Sequence, residues 1–288
     1  MNSTQATVSK VLKFSCVDGP GNRFVIFLQG CNFNCAPCHN PHAIGQCTDC
    51  GDCVEVCKTG ALSVTDGRVE FDPAICDHCD ACIDACAEGA NPMARKVTVD
   101  HLLEQIRKRR TFLTGITVSG GEATTQLGFV VELFRAIKAD PELASLSCLI
   151  DSNGHLGAGG WEKVLPVTDG VMLDIKAFDN ELHESLTRKS NARSLESARI
   201  LQAAGKLEEL RFLLIPGKTD AADELDRLAE FVATLGNDVR IRLNAFQHHG
   251  VRGDALNWPK MTEEGVLVAA ERLRNAGISN IQTPTVYL

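Results

Sequence analysis

The stretch RFVIFLQGCNFNCAPCHNPH (residues 23–42) joins an apolar, β-rich run to three cysteines and a histidine. Cys31, Cys35 and Cys38 have C-x3-C-x2-C spacing, and His39 follows at once. The run FVIFLQG predicts a strand, which places the cysteines on the loop at its C-terminal end. Three thiolates on a [4Fe–4S] cube leave one iron without a protein ligand, and an open coordination position is a place for a ligand to bind. The alternative is a cysteine-rich loop that takes its fourth ligand from elsewhere. His39 sits too close for good geometry; Cys16 is the other candidate.

Eight further cysteines lie just downstream. Cys47, Cys50, Cys53 and Cys57 form C-x2-C-x2-C-x3-C, and Cys76, Cys79, Cys82 and Cys86 repeat it. In bacterial two-cluster proteins the fourth cysteine of each run ligates the other cluster. One [4Fe–4S] cluster is therefore expected on Cys47, Cys50, Cys53 and Cys86, and a second on Cys76, Cys79, Cys82 and Cys57. Structural zinc is the competing reading, but zinc usually pairs two C-x2-C hooks across a long gap. The proline usual after the fourth cysteine is absent; Lys58 and Ala87 stand there. So short a block cannot bury a large core, so the clusters must hold it together.

The rest of the 288-residue chain alternates. Apolar runs at 115–120, 146–151, 170–175, 209–215 and 239–244 predict strands. Stretches at 98–110, 125–138, 192–204, 221–235 and 262–275 have helical spacing. Alternating strands and helices imply parallel β-α units with helices covering the sheet. The organisation expected is an α/β core over residues 1–42 and 93–288, interrupted by a small cysteine-rich domain over 43–92. In such folds polar residues at the C-terminal ends of parallel strands form the site.

Charge and hydropathy exclude other classes. The net charge is −8, and the one basic cluster, Arg107 to Arg110, lies on a predicted helix as a solvated face. Nucleic acid is not expected as a partner. No apolar run reaches the roughly 20 residues that span a bilayer, and the first residues have no apolar signal core. A cytoplasmic protein is expected, in which thirteen cysteines read as metal ligands and not as disulfides.

With these stretches in view, the chain resembles the radical S-adenosylmethionine (SAM) enzymes, and more narrowly the glycyl radical enzyme activating enzymes. The carrying segments are CVDGPGNRFVIFLQGCNFNCAPCHNP (16–41), ITVSGGEATTQ (116–126), LIDSNG (149–154), VMLDIKAFD (171–179) and RFLLIPGKTD (211–220). Many members of that family carry a two-cluster ferredoxin-type insert at this point. VSGGEATTQ and NAFQHHGV look most like its YjjW-like branch.

The resemblance implies a partial, TIM-like (β/α)6 barrel with a bacterial-ferredoxin-like insert, three [4Fe–4S] clusters and SAM. Cys31, Cys35 and Cys38 would hold the cluster that binds SAM. Gly120, Gly121 and Glu122 would meet the methionine amino group, Lys176 its carboxylate, and Asp174 the ribose. Asp151 would lie near the methionine end, with a monovalent cation, and Arg211 near SAM. Taken without the family, Asp174 and Lys176 read as a salt bridge, Asp151 as a loop cap and Arg211 as a surface pair. Two departures concern adenine. Pro37 replaces the aromatic residue common before the third cysteine, leaving His39 or Asn40, and Gln247 stands at the family's histidine, beside His248 and His249. Asp18 reads as a contact to the incoming loop or as a turn cap. Cys148, in an apolar strand, reads as a buried small hydrophobe.

The implied reaction is anaerobic. One electron from a flavodoxin- or ferredoxin-type reductant splits SAM into methionine and a 5′-deoxyadenosyl radical. That radical takes a hydrogen from one glycine of a partner glycyl radical enzyme. The insert clusters would relay electrons or dock a partner. A radical SAM enzyme acting on a small molecule is the second reading, and an iron–sulfur electron carrier the third.

Overall fold

A computed structural model describes residues 4–236 and 238–285. The chain divides into two compact units: residues 1–32 with 40–148, and residues 33–39 with 149–288.

In the first unit β1 (Gln5–Ser15) lies antiparallel to β2 (Arg23–Leu28). The cysteine-rich segment contributes α1 (Asp52–Glu55), the hairpin of β3 (Leu62–Thr65) and β4 (Arg68–Phe71), and α2 (Ala81–Ala85). Next come β5 (Arg95–Thr98), antiparallel to β1, then α3 (Val99–Arg107), β6 (Gly115–Gly120) and α4 (Leu127–Ala139). β6 runs parallel to β2, with Arg23 opposite Gly115 and Leu28 opposite Gly120. Phe24, Val25, Ile26 and Leu28 are all fully buried, which is why β2 reads as a continuous apolar run. Leu102, Leu103 and Ile106 of α3, and Phe129, Val130, Leu133, Phe134 and Ile137 of α4, are buried at helical spacing. The basic cluster is spent in ion pairs: Arg107 with Asp140 (2.7 Å), Lys108 with Glu104 (2.7 Å) and Arg110 with Glu142 (3.0 Å).

The first unit ends on Ser147 and Cys148, which open β7 (Ser147–Ser152); the second unit holds the rest of β7 with α5 (Ala158–Val164), β8 (Gly170–Ile175), α6 (Asn180–Thr187), α7 (Ala192–Ala203), β9 (Leu207–Leu214), α8 (Ala222–Leu235), β10 (Ile241–Ala245), α9 (Glu263–Asn275) and β11 (Ile281–Gln282). β8 pairs in parallel with β7 and β9, and β10 with β9 and β11. The apolar faces of the helices cover the strands: Leu225, Leu228, Phe231 and Val232 of α8 are buried, as is Trp161 of α5, whose Nε1 donates to Ser197 Oγ at 2.7 Å.

All six expected strands are present, and the five expected helices match α3, α4, α7, α8 and α9 to within a turn. Residues 1–42 hold more structure than the one strand predicted there. They carry β1 as well as β2, and β5, β11 and the β3–β4 hairpin also lie outside the apolar runs. Cys148 is fully buried in β7.

Candidate active site

Side chains two residues apart in a strand share a face. This places Asp151 of β7, Met172 and Asp174 of β8, and Glu209 and Arg211 of β9 side by side. Met172 is in register with Asp151 and Glu209, and Asp174 with Arg211. Lys176, one step beyond β8, donates from Nζ to Asp174 Oδ2 at 2.8 Å. Arg211 reaches Asp151 Oδ1 through Nη1 (3.2 Å) and Glu209 Oε1 through Nε (2.7 Å). Arg242 of β10 donates to the same Glu209 oxygen at 2.9 Å.

The salt bridge expected of Asp174 and Lys176 without the family is therefore present. Arg211 lies in the interior network, not on the surface. Asp151 is occupied by a guanidinium where a monovalent cation was expected. Burial alone would depress the Lys176 ammonium, but Asp174, Cys35 and Asp151 outweigh it and hold the group above its ordinary value. For Arg211, too, burial is overcome by Asp151, Asp174 and Glu209. Half-buried charges persist here because each has an opposite neighbour.

Residues 33–39 form an arm of this unit, carrying Cys35 and Cys38. The Cys38 N–H donates to the Cys35 carbonyl at 3.2 Å. His39, at the end of the arm, bonds the Gln247 backbone, and its Nε2 is buried with no partner among the described residues. Burial first, then Lys176, lowers its pKa. A side chain on Gly250 would run into the His39 carbonyl, so the NAFQHHGV loop must present glycine there. Two residues expected on the adenine side, His39 and Gln247, thus meet. The Gln247 amide donates to Met261 O (3.0 Å) and His248 bonds Trp258 O (2.7 Å).

Cys31 and the SGGE turn belong to the first unit. The Cys31 N–H donates to Ile44 O at 3.0 Å and the Gly30 N–H to Ala43 O at 2.9 Å. After β6 the Gly121 N–H bonds Leu28 O and the Glu122 N–H bonds Gly30 O, both at 2.9 Å. Gly120 has φ +130°, and a Cβ there would strike the Leu28 backbone. The glycines thus first serve the fold, letting the turn lie against the chain before Cys31. The Glu122 carboxylate accepts from Thr124 N–H (2.9 Å) and Oγ1 (2.7 Å) and caps the following turn. The Asp18 carboxylate accepts from the Ser15 hydroxyl.

A model of the radical SAM superfamily matches residues 25–232. A pyruvate formate-lyase-activating enzyme of Streptococcus mutans is 31% identical over 275 residues, spanning 93% of this chain and 88% of its own. An isethionate sulfite-lyase activating enzyme of Oleidesulfovibrio alaskensis is 30% identical over 81% of each chain. This chain is a radical SAM enzyme of the glycyl radical enzyme activating family. Its fold is shared with QueE from Escherichia coli, at TM-score 0.54 and 13% identity over 98% of this chain and 95% of that one. Membership of the superfamily brings a [4Fe–4S] cluster and SAM.

This activating enzyme also carries the cysteine repeat in folded form. One cavity of the cysteine-rich segment is lined by Cys57, Cys76, Cys79 and Cys82, with Leu62, Phe71 and Met93. Four thiols around one space, three from one run and the fourth from the other, suit a cubane. The remaining set also interacts: Cys86 acts on the Cys47 thiol, and Cys47 and Cys50 act on Cys53. Burial, then Cys47, pushes the Cys53 thiol up to about 11. Among the described residues no three His, Cys, Asp or Glu side chains close on a single-ion site. Cys53, Leu62 and Cys82 form the small core of this segment, against which Val54, Val69, Phe71, Ile83 and Met93 pack.

Several residues of the radical SAM core carry no motif that marks them. Glu224 is buried, and its carboxylate takes the N–H groups of Phe178 (2.7 Å) and Asp179 (2.5 Å) in the loop after Lys176. Asn191 Nδ2 donates to the Phe178 carbonyl in the same loop at 2.8 Å. Arg23 is fully buried at the head of β2 and donates to Thr117 Oγ1, Pro20 O and Ser147 O, tying the VDGPG turn to β6 and to the start of β7. Most of their partners lie on other strands or loops, so no local pattern announces them.

Proposed function

We propose that this chain activates a glycyl radical enzyme by removing one hydrogen from a glycine of that partner. The observation that carries the reading is the arm bearing Cys35 and Cys38 beside the Lys176–Asp174 pair, in a chain of the activating enzyme family. The cluster and SAM together would supply one-electron cleavage of a carbon–sulfur bond, giving methionine and the 5′-deoxyadenosyl radical that takes the glycine hydrogen. Cys31, Cys35 and Cys38 are the ligands proposed for that cluster.

Lys176 offers an ammonium to a carboxylate. Asp174 offers a carboxylate to hydroxyl groups. Gly120, Gly121 and Glu122 are proposed for the methionine amino group, and His39 and Gln247 for the adenine side. Arg211 already neutralises Asp151, so a monovalent cation at Asp151 would share its carboxylate with a guanidinium.

The insert is proposed to hold two further [4Fe–4S] clusters, on Cys47, Cys50, Cys53 and Cys86 and on Cys57, Cys76, Cys79 and Cys82. Residues 43–92 hold ten acidic and two basic side chains, a balance equal to the whole net charge of the chain. All ten acidic residues are exposed. A flavodoxin- or ferredoxin-type reductant that docks at the insert must accommodate this field, so its reduction rate should depend on salt.

The test is anaerobic. Reduced, reconstituted protein is mixed with SAM and candidate glycyl radical enzymes, and the partner is examined by electron paramagnetic resonance. A glycyl signal on the partner supports the proposal. Cleavage of SAM with no such signal on any candidate would favour a small-molecule substrate.

A further inference from the structure

We propose that His183 is a positioning residue that fixes the cysteine arm to the end of α6. The side chain is fully buried. Its Nδ1 lies 2.7 Å from the Lys189 carbonyl, which has no proton to give, so Nδ1–H is the donor. The neighbouring Thr187 hydroxyl donates to the His183 carbonyl at 2.8 Å and accepts the Lys189 N–H at 3.2 Å. Together these bonds shape the helix end around Arg188, whose φ of +66° is left-handed.

A helix end leaves its last carbonyls without partners inside the helix. Here two of them hold the arm. Leu186 O accepts the Ala36 N–H at 2.8 Å, and Thr187 O accepts the Asn34 N–H at 3.1 Å. These amides stand on either side of Cys35. Phe33, at the start of the arm, sets its ring edge-on to His183 with centroids 5.6 Å apart, and edge-on to His155 at 5.4 Å. The other end of α6 begins directly after the loop that carries Lys176, with Asp179 as its cap. One short helix therefore connects the segment bearing Cys35 with the loop bearing Lys176.

The second ring nitrogen sharpens the assignment. Burial, and then Lys176, lowers the pKa of the ring and so favours its neutral form. With the proton on Nδ1, Nε2 is a bare acceptor, and it is buried with no partner among the described residues. A buried unsatisfied acceptor is costly. A residue needed only to fill this space would be better as an apolar side chain. What histidine alone adds is the Nδ1–H bond that shapes the helix end.

The functional consequence rests on Cys35 as a ligand of the SAM-binding cluster; the structural claim does not. Two variants separate them. His183→Leu fills the space without a donor, and His183→Asn restores an N–H toward Lys189 O. Amide hydrogen exchange at Asn34 and Ala36 is followed in the cluster-free chain. The paramagnetic resonance spectrum of the reduced, reconstituted protein is recorded with and without SAM. His183→Leu should speed exchange at both amides about tenfold and alter the SAM-induced spectral change. His183→Asn should return both toward wild type at an equal melting temperature. Unchanged exchange in His183→Leu, or equal loosening of the whole chain in both variants, would overturn the proposal. If SAM leaves even the wild-type spectrum unchanged, the cluster reading fails, and the exchange result still decides the role of His183.

Discussion

The backbone N–H of Glu122 donates to the carbonyl of Gly30 at 2.9 Å, so the glycine turn after β6 is bonded to the residue just before Cys31. Gly121 sits inside that junction. A Cβ there would press on the carbonyls of Gly30 and Ala43, both backbone groups without room to swing away. Gly121→Ala should therefore destabilise the chain by about 1–3 kcal/mol through overpacking. It should also reduce SAM cleavage, because relief of the clash must shift the chain next to Cys31. Urea unfolding and a cleavage assay check the two effects. Wild-type behaviour in both would mean that the junction gives way more easily than its geometry indicates.

The cysteine-rich segment allows a test by counting. Fully loaded, three cubane clusters amount to about twelve irons per chain. The cavity places Cys57 with Cys76, Cys79 and Cys82 and not with its own run. Cys57→Ser and Cys76→Ser should then remove the same cluster, and Cys86→Ser the other. The double variant Cys57→Ser with Cys76→Ser should lose no more iron than either single change. Cys57→Ser with Cys86→Ser should leave about four irons, those of the Cys31 site. If Cys57→Ser instead behaved like Cys50→Ser, the crossover would be wrong.

The strands buried on both faces were legible because burial writes a run of apolar residues. β2, β6 and β8 each have five buried positions of six. β1 is longer than any of them, yet it carries no single period. Its pairing with β2 slips between Val8 and Lys10 and again between Leu12 and Ser15, and its exposed side includes Lys10 and Lys13. β11 is too short to carry any pattern. Within the candidate site, the cysteines, Asp174 and Lys176 could be picked out because their spacing along the chain is itself the signal. Glu209, Glu224 and Asn191 could not, since what defines them is a partner on another strand or loop. Arg211 was legible as a residue but not as half of the Glu209 pair, and the guanidinium on Asp151 came only with the fold.

Glu209 is the most buried member of the charged network, with 4% of its side chain exposed, and it serves both Arg211 and Arg242. Glu209→Gln keeps the shape and removes the charge. Two guanidinium groups then lose their shared anion, and Arg211 would have Asp151 as its remaining carboxylate in this set of bonds. Losing one partner of a buried pair costs about 3 kcal/mol or more. The expected outcome is a lower urea midpoint together with weaker SAM binding, since Arg211 would be drawn toward Asp151. Calorimetric titration of the reconstituted protein with SAM reads the second effect. A variant that unfolds earlier but binds SAM as well as wild type would restrict Glu209 to stability.

Acid should loosen the second unit through the three histidines whose pKa values the fold lowers, His39, His155 and His183. For both His183 and His155 burial is the first cause holding the pKa below the ordinary value of 6.5; nearby cations, Lys176 for the former and Arg193 for the latter, act in the same direction. The unfolded chain then binds more protons than the folded chain just below that value. Stability from these groups is full above pH 6.5 and is lost as pH falls toward their folded pKa values. The urea midpoint of the cluster-free chain should accordingly drop between about pH 7.5 and about pH 5.5, a range in which histidine is the main titrating side chain. His183→Asn removes one of the three groups and keeps the bond to Lys189, so it should shrink the drop without abolishing it. An equal drop in variant and wild type would show that His183 is not held neutral by its surroundings.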